Sequence, residues 1–265
     1  MSKLTAKVAI VTGGGRGIGR GVARALAAEG ASIVIAGRTE QTGRAAADEI
    51  ERDFADRGAR ALYVQTDIGE PDSVRAMVEA AAHELGHADI LVNNATPASG
   101  MARLEKMTPE AMDEHLRVNY HGAFTAMQAV FPAMKERGYG RIINMCSLNG
   151  INAHRYTAMY NGSKEALRAL TRTAAVEWAQ WGITCNAICP AAVTDPWEAF
   201  VRFDPDGAQQ VLDGNPMGRL GDAESDIGPL VVFLASADSG YITGNTIHAD
   251  GGGHVSGVPW PFEAP

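Results

Sequence analysis

"KVAIVTGGGRGIGRGVARALAAE", residues 7–29, is the stretch that decides the fold. It opens on an apolar, β-branched run of strand length, Lys7 to Thr12. Glycines follow at 13, 14, 15, 17 and 19. Ile18, Val22, Ala25 and Leu26 then recur at helical spacing, which predicts a helix from Gly17 to Glu29. A strand that turns through glycines into a helix is suited to a pyrophosphate. Glycine lets backbone N–H groups come close, and the helix N-terminus favours negative charge. The plainer reading is a tight βα turn with no ligand. A glycine loop alone is a weak signal, but this one has the strand before it and the helix after it that binding requires.

The same alternation continues along the chain. Further strands are predicted over 32–37, 59–65, 88–94, 141–147, 183–189 and 244–250. Helices are predicted over 40–56, 71–85, 108–117, 119–137, 157–180 and 222–235. Pro71 stands where the first turn of its helix tolerates proline. Residues 191–221 read as a looser stretch. Strand–helix alternation of this kind predicts an α/β fold, a Rossmann-like, doubly wound parallel sheet of about seven strands with helices on both faces. The expected organisation is a single domain over 1–265, with 191–221 as a substrate lid and 251–265 as a Gly- and Pro-rich tail.

Composition narrows the function. The chain has 265 residues, 46% of them hydrophobic, enough for one sizeable core. A net charge of −8 argues against nucleic acid as a partner. No apolar run approaches the ~20 residues of a membrane span, and Val8–Val11 is too short for a signal sequence. The three cysteines, an odd number, fit reduced thiols and a cytoplasmic location. That also removes the two N-x-[ST] patterns, at Asn94 and Asn161, from consideration as glycosylation sites.

Thr12-Gly13-x-x-x-Gly17-x-Gly19 resembles the nucleotide loop of the short-chain dehydrogenase/reductase family, and the resemblance extends over roughly residues 4–253. Asn93-Asn94-Ala95-Thr96 is similar to the family's Asn-Asn-Ala-Gly segment after the fourth strand. Asn119 fits its helical asparagine, Ser147 its serine at the end of the fifth strand, and Tyr160 to Lys164 its Tyr-x-x-x-Lys. The resemblance implies a nicotinamide cofactor and a catalytic set of Asn119, Ser147, Tyr160 and Lys164. It also implies cofactor contacts from Thr12, Gly13, Gly15, Arg16, Gly17, Ile18 and Gly19, from Asn94 and Ala95, from Tyr160 and Lys164, and from Pro190, Val193 and Thr194. Asp67 and Ile68 resemble the family's adenine contact, although a helix cap before Pro71 explains Asp67 equally well. Thr96 and Ala191 stand where the family usually has glycine. A homotetramer is the family's habit.

The second strand ends Ala36-Gly37-Arg38. A free ribose diol wants a carboxylate there, and a 2′-phosphate wants a guanidinium. Arg38, with help from Arg16, therefore favours NADP(H), with NAD(H) as the lesser possibility.

A free tyrosine, with a pKa near ~10, is a poor acid or base at neutral pH. A nearby cation favours the phenolate and lowers that value. Lys164, one turn beyond Tyr160, is expected to do so. The tuned phenol then gives a proton to a carbonyl or takes one from an alcohol. By the resemblance, Ser147 holds the substrate oxygen, Lys164 bonds the nicotinamide ribose, and Asn119 positions a water leading from Lys164 to solvent. Leu148, His154, Trp197 and Phe200, with Ser147 and Tyr160, are the expected substrate contacts, which suggests a fairly apolar carbonyl or alcohol. The rival reading is a catalytically silent NADP(H)-binding sensor, which has no need of a proton donor.

No metal site is expected. His83-Glu84-Leu85-Gly86-His87 fits a zinc-protease pattern, but that chemistry needs both histidines on one continuous helix, and Gly86 reads as a helix stop. Cys185 and Cys189 share one face of a strand and Cys146 ends another; core packing is the expected role of all three.

Overall fold

A computed structural model describes residues 2–98 and 100–255. Its strands are β1 (Val8–Thr12), β2 (Ser32–Gly37), β3 (Ala61–Gln65), β4 (Ile90–Asn93), β5 (Gly140–Met145), β6 (Ile183–Pro190) and β7 (Thr246–Ala249). They form one sheet in the order β3-β2-β1-β4-β5-β6-β7, and every pairing is parallel. β1, β4 and β5 are buried at every residue. Continuous apolar runs belong in strands that helices cover on both faces.

The connections supply those helices. α1 (Gly17–Ala28) and α2 (Glu40–Phe54) cover one face together with α10 (Gly228–Ala235). α3 (Pro71–Glu84), α5 (Ala123–Arg137) and α7 (Ala158–Trp178) cover the other. The chain order reverses between β1 and β4, so the carboxyl ends of those strands leave the crevice where doubly wound folds take ligands.

One polar chain crosses the core behind that crevice. Asn93 at the end of β4 donates to Asn144 of β5 at 2.8 Å, and Asn144 donates to Thr171 of α7 at 2.8 Å. It ties α7 to the switch point through buried side chains.

Two expectations need correction. Residues 191–221 are not loose: they include α8 (Asp195–Phe203) and α9 (Pro205–Asp213). Proline stands in the first turn of each, and the Asp204 carboxylate accepts from the Gly207 N–H at 2.9 Å as the cap of α9. The helical patterns over 108–117 and 119–137 are one run. α4 (Pro109–Leu116) passes through a π turn over Arg117–Gly122 into α5. Gly122 packs against the Ile68 carbonyl so closely that a Cβ has no room. The last part of the expected 251–265 tail lies outside the described residues.

Candidate active site

The glycine turn is held by contacts that only glycine permits. Gly13 and Gly17 have φ of +66° and +52°, the left-handed region that glycine enters without penalty. A Cβ on Gly19 would run into the Gly13 carbonyl and stand 2.6 Å from Asn94 Nδ2. Thr12 Oγ1 accepts from the Asn94 and Ala95 N–H groups at 2.9 and 3.0 Å and donates to the Val92 carbonyl at 3.3 Å. Asn94 Nδ2 donates in turn to the Thr12 and Gly13 carbonyls at 2.9 and 3.3 Å. The end of β1 and the loop after β4 thus lock each other at the switch point. At Gly17 and Gly37 the space a Cβ would take is open. That rigid, open-topped turn at the start of α1 fits the pyrophosphate of a dinucleotide.

Beyond the turn, at the end of β2, the side chains make few contacts. Arg38 is exposed at the end of β2, and its carbonyl accepts from Gln65 at 3.4 Å. Arg16 reaches Asp195 at 3.5 Å, both well exposed, beside a groove that Gly15 and Thr42 also line. Asp67 closes a local turn: its carboxylate accepts from the Gly69 N–H at 2.9 Å, and its own N–H donates to Ser73 at 3.0 Å. It does not cap α3, whose N-cap is Glu70 with no side-chain hydrogen bond. Ile68 is buried in the core.

The second half of the site gathers around the start of α7. Ser147 follows β5 and caps the short helix α6 (Leu148–Ile151), its Oγ accepting from the Asn149 N–H at 3.1 Å. The Ser147 side chain stands near enough to the Tyr160 phenol to favour its ionised form. Lys164 is 2% exposed; its Nζ donates to the Met145 carbonyl at 2.8 Å and lies 5.6 Å from the centre of the Tyr160 ring. Asn119, in the π turn, donates to Ser163 Oγ at 2.9 Å, and Ser163 Oγ donates to the Tyr160 carbonyl at 2.9 Å. So the structure brings Asn119, Ser147, Tyr160 and Lys164 into one cluster.

The electrostatics differ from the expected tuning. Burial pushes the Tyr160 phenol above its ordinary value, and the Ser147 side chain offsets only part of this. Burial also pulls Lys164 down to about 8. The expected lowering of Tyr160 by Lys164 does not appear, because desolvation outweighs it and the ammonium points to the Met145 carbonyl. At neutral pH the phenol is held protonated.

The segment that opens α7 is helical, not a turn. Asn161 stitches it to the preceding loop, donating to the His154 carbonyl at 2.8 Å and accepting from Thr157 Oγ1 at 3.0 Å. Gly162 is exposed, with nothing near its missing Cβ. His154 is exposed in that loop, its Nδ1 3.2 Å from Thr157 Oγ1. Pro190 and Thr194 are half-buried and Val193 is exposed between β6 and α8. Trp197 and Phe200 pack on each other at 5.8 Å between ring centres.

One residue at the site escaped the sequence reading. His115 of α4 is 2% exposed, and its ring meets Tyr160 edge-on at 6.2 Å. The only sequence signal was its place four residues before Asn119, on the same helical face.

The decoys resolve structurally. α3 ends at Glu84, and Gly86 has φ +100°, so His83 and His87 do not share a helix. Among the described residues no group of three or more His, Cys, Asp or Glu could hold a metal, and no helix is long and apolar enough to cross a membrane. Cys146, Cys185 and Cys189 are free and buried. Burial pushes their thiols up to about 12, 12 and 11, which leaves them unreactive at neutral pH.

A glycine turn at the switch point of a parallel sheet, with a Ser/Tyr/Lys cluster beside it, defines a Rossmann-fold oxidoreductase. The chain belongs to the short-chain dehydrogenase/reductase family: a family model described as "Enoyl-(Acyl carrier protein) reductase" (adh_short_C2) matches residues 13–254. The 12alpha-hydroxysteroid dehydrogenase of Clostridium sp. is 36% identical over 252 residues, covering 93% of this chain and 96% of that protein. Oxidoreductase UcpA of Salmonella typhimurium is 39% identical over 265 residues, with 95% and 96% covered. Among solved structures, levodione reductase superposes with a TM-score of 0.89 at 31% identity, covering 95% of this chain and 99% of that one. NAD+-bound xylitol dehydrogenase does so at 0.87 and 31%, with 94% and 100% covered. This chain is an oxidoreductase of the same kind, acting on CH–OH or C=O groups with a nicotinamide cofactor.

Proposed function

We propose that this chain is a reductase of ketones or aldehydes, reversible to alcohol oxidation, with NADP(H) as its preferred cofactor and Tyr160 as its proton donor and acceptor. The observation that carries this reading is the convergence of Ser147, Tyr160 and the buried Lys164, whose Nζ lies 5.6 Å from the Tyr160 ring centre, at the start of α7. The glycine turn, Asn94 and Ala95 would hold the pyrophosphate side, and Arg16 and Arg38 a 2′-phosphate. When bound, the nicotinamide supplies or accepts the hydride.

Ser147 Oγ holds the substrate oxygen and stabilises charge growing on it. Tyr160 gives that oxygen its proton. Lys164 places a positive charge behind the phenol, which eases loss of the proton as it is transferred. Asn119 holds the start of α7 through Ser163 and, in this reading, a water leading from Lys164 outward. Because burial favours the protonated phenol, reduction is the direction the site is set for at neutral pH. Alcohol oxidation needs phenolate and is expected to rise with pH above neutral.

The substrate is a fairly apolar, ring-bearing carbonyl compound, for which α8 and α9 with Trp197 and Phe200 form the lid. The relatives' names include a hydroxysteroid dehydrogenase and levodione reductase beside a xylitol dehydrogenase, all of them oxidoreductases, and they lend nothing to a silent sensor. A homotetramer in the cytoplasm completes the reading.

The test is NADPH and NADH oxidation over a panel of cyclic, aromatic and aliphatic carbonyls, with Tyr160→Phe and Arg38→Asp alongside. Turnover favouring NADPH is expected, with Tyr160→Phe losing about 1,000-fold or more of kcat while still binding cofactor. Arg38→Asp should reverse the NADPH preference. Retained turnover in Tyr160→Phe removes the tyrosine from the chemistry. An unchanged cofactor ratio in Arg38→Asp removes the 2′-phosphate assignment.

A further inference from the structure

His115 is a buried titratable side chain that the reaction above does not use. Three elements meet on it. Its own helix α4 carries it, α7 presents Tyr160 and Lys164, and the π turn presents Asn119. Its ring stands edge-on to Tyr160, at 87° between planes. Its Nδ1 lies 3.4 Å from Asn119 Nδ2, the same nitrogen that donates to Ser163 at 2.9 Å. An amide NH2 has two hydrogens, so one goes to Ser163 Oγ and the other points at Nδ1 as acceptor. The arrangement requires the neutral imidazole.

Asn119 Oδ1 is buried and has no hydrogen-bond partner. A buried orphan acceptor of this kind calls for a reason. The water that the proposed reaction gives Asn119 would sit there, and a half-turn of the amide would let Nδ2 donate to that same water, so both orientations are open to it. A protonated His115 presents Nδ1–H where the Asn119 N–H now points, so the two donors clash. Rotating the amide by half a turn brings Oδ1 to that Nδ1–H and satisfies it. The same rotation removes the donor from Ser163. The Ser163 hydroxyl can then donate to Oδ1 instead of the Tyr160 carbonyl, and the start of α7 loses a tie.

We propose that His115 is a positioning residue of the proton-transfer centre. As neutral imidazole it fixes the Tyr160 ring and the Asn119 amide; on taking up a proton it turns that amide, repels the Lys164 ammonium and switches reduction off. This rests on the reading of Tyr160 as proton donor. Among the described residues, the charged and titratable groups that face His115 include Lys164 and Tyr160 from α7 and Glu114 from its own helix. Burial and the Lys164 charge keep the imidazole below its ordinary value, and Glu114 opposes them weakly. The working form is therefore neutral at pH 7, and the change falls on the acid side.

The experiment is the initial rate of carbonyl reduction by NADPH between about pH 5 and 8, in the wild type, His115→Gln and Tyr160→Phe. Glutamine can still accept from Asn119 but does not titrate. The wild-type kcat should fall on the acid side. His115→Gln should show a kcat about three- to tenfold lower at neutral pH, unchanged KM values, and no acid fall. An acid limb that persists in His115→Gln, or a wild type without one, overturns the role. Should His115→Gln fail to fold, the His115 imidazole is titrated by NMR in the wild type and in Lys164→Met. Its midpoint must rise when the lysine charge is removed, and an unmoved midpoint overturns the coupling. Tyr160→Phe keeps the two ideas apart. Retained turnover there defeats the reading of the reaction, whereas loss of turnover with an unaltered acid limb in His115→Gln defeats only the role of His115.

Discussion

α1 and α7 both begin at the carboxyl edge of the sheet, and both begin with a glycine close to the chemistry. The glycines do opposite things. Gly19 in α1 is packed against the Gly13 carbonyl and Asn94, so its missing side chain is a steric requirement. Gly162 in α7 faces open space, so its missing side chain serves no contact. At α1 the backbone performs the function and the residue types follow from clearance. At α7 the side chains perform it, and the backbone needs only to place Tyr160 and Lys164 on one face. A substitution therefore has a different meaning at each start.

Gly19→Ala should give the largest effect. Its Cβ meets backbone on one side and the Asn94 amide at 2.6 Å on the other, and neither can move without opening the Thr12–Asn94 lock. Overpacking of this kind costs about 1–3 kcal/mol, and the turn it distorts is the one assigned to the pyrophosphate. Cofactor affinity should fall by about 100-fold or more. A fluorescence titration with NADPH measures it; affinity within a few-fold of the wild type would show that the turn tolerates a side chain and that the contrast is false.

Lys164→Met makes the complementary point at α7. Burial lowers Lys164 from 10.5 to about 8, so the folded chain holds fewer protons than the unfolded chain between those values. The sign follows: the buried ammonium opposes folding in full below about pH 8, and its penalty fades as pH rises toward 10.5. At neutral pH the penalty is about 3 kcal/mol, against about 1–3 kcal/mol for leaving the Met145 carbonyl without its donor. Lys164→Met should lose turnover yet melt at or above the wild-type temperature at pH 7. A clear drop in Tm would mean that the lysine holds the fold together.

Thr12→Val tests whether the lock at α1 is made of hydrogen bonds or of packing. Valine keeps the shape but leaves the Asn94 and Ala95 N–H groups without the oxygen they share. A loss of about 2 kcal/mol is expected, read as a lowered urea midpoint at unchanged slope. No shift would assign the lock to packing.

The same contrast explains what the sequence disclosed. The strands were legible because parallel strands buried on both faces must be apolar throughout, as in Val8–Thr12. The glycine turn was legible because clearance at Gly19 and the left-handed backbone at Gly13 and Gly17 favour glycine there. Tyr160, Lys164, Ser147 and Asn119 were legible only as an ordered set, since each alone reads as an ordinary surface or strand-end residue. α8 and α9 were not, because the Phe203-Asp204-Pro205 junction cuts the periodicity into nine-residue pieces, and Phe203 remains 88% exposed, so the apolar pattern does not mark a buried face. The π turn was hidden because a one-residue insertion into a helix resembles two helices with a seam, which is how 108–117 and 119–137 read. His115 was hidden because a lone histidine at an apolar position carries no motif. The fall of its environment on Tyr160 and Asn119 is a tertiary fact.

Gly162→Ala is the smallest effect and the sharpest test of the comparison, because its sign is opposite to that of Gly19→Ala. Gly162 is helical and exposed, with no atom within 4 Å of a built Cβ. Alanine there removes backbone freedom from the unfolded chain and clashes with nothing, and should stabilise by about 1 kcal/mol, raising Tm by about 2 °C. The added methyl faces away from Lys164, which is buried two residues on, so kcat should stay within about twofold of the wild type. A higher Tm with unchanged kcat makes the glycine in α7 incidental, as its open surroundings imply. A higher Tm with a clearly lower kcat would mean that the first turn of α7 must yield as the proton leaves Tyr160. In that case both helix starts would need their glycine, one for clearance and the other for motion.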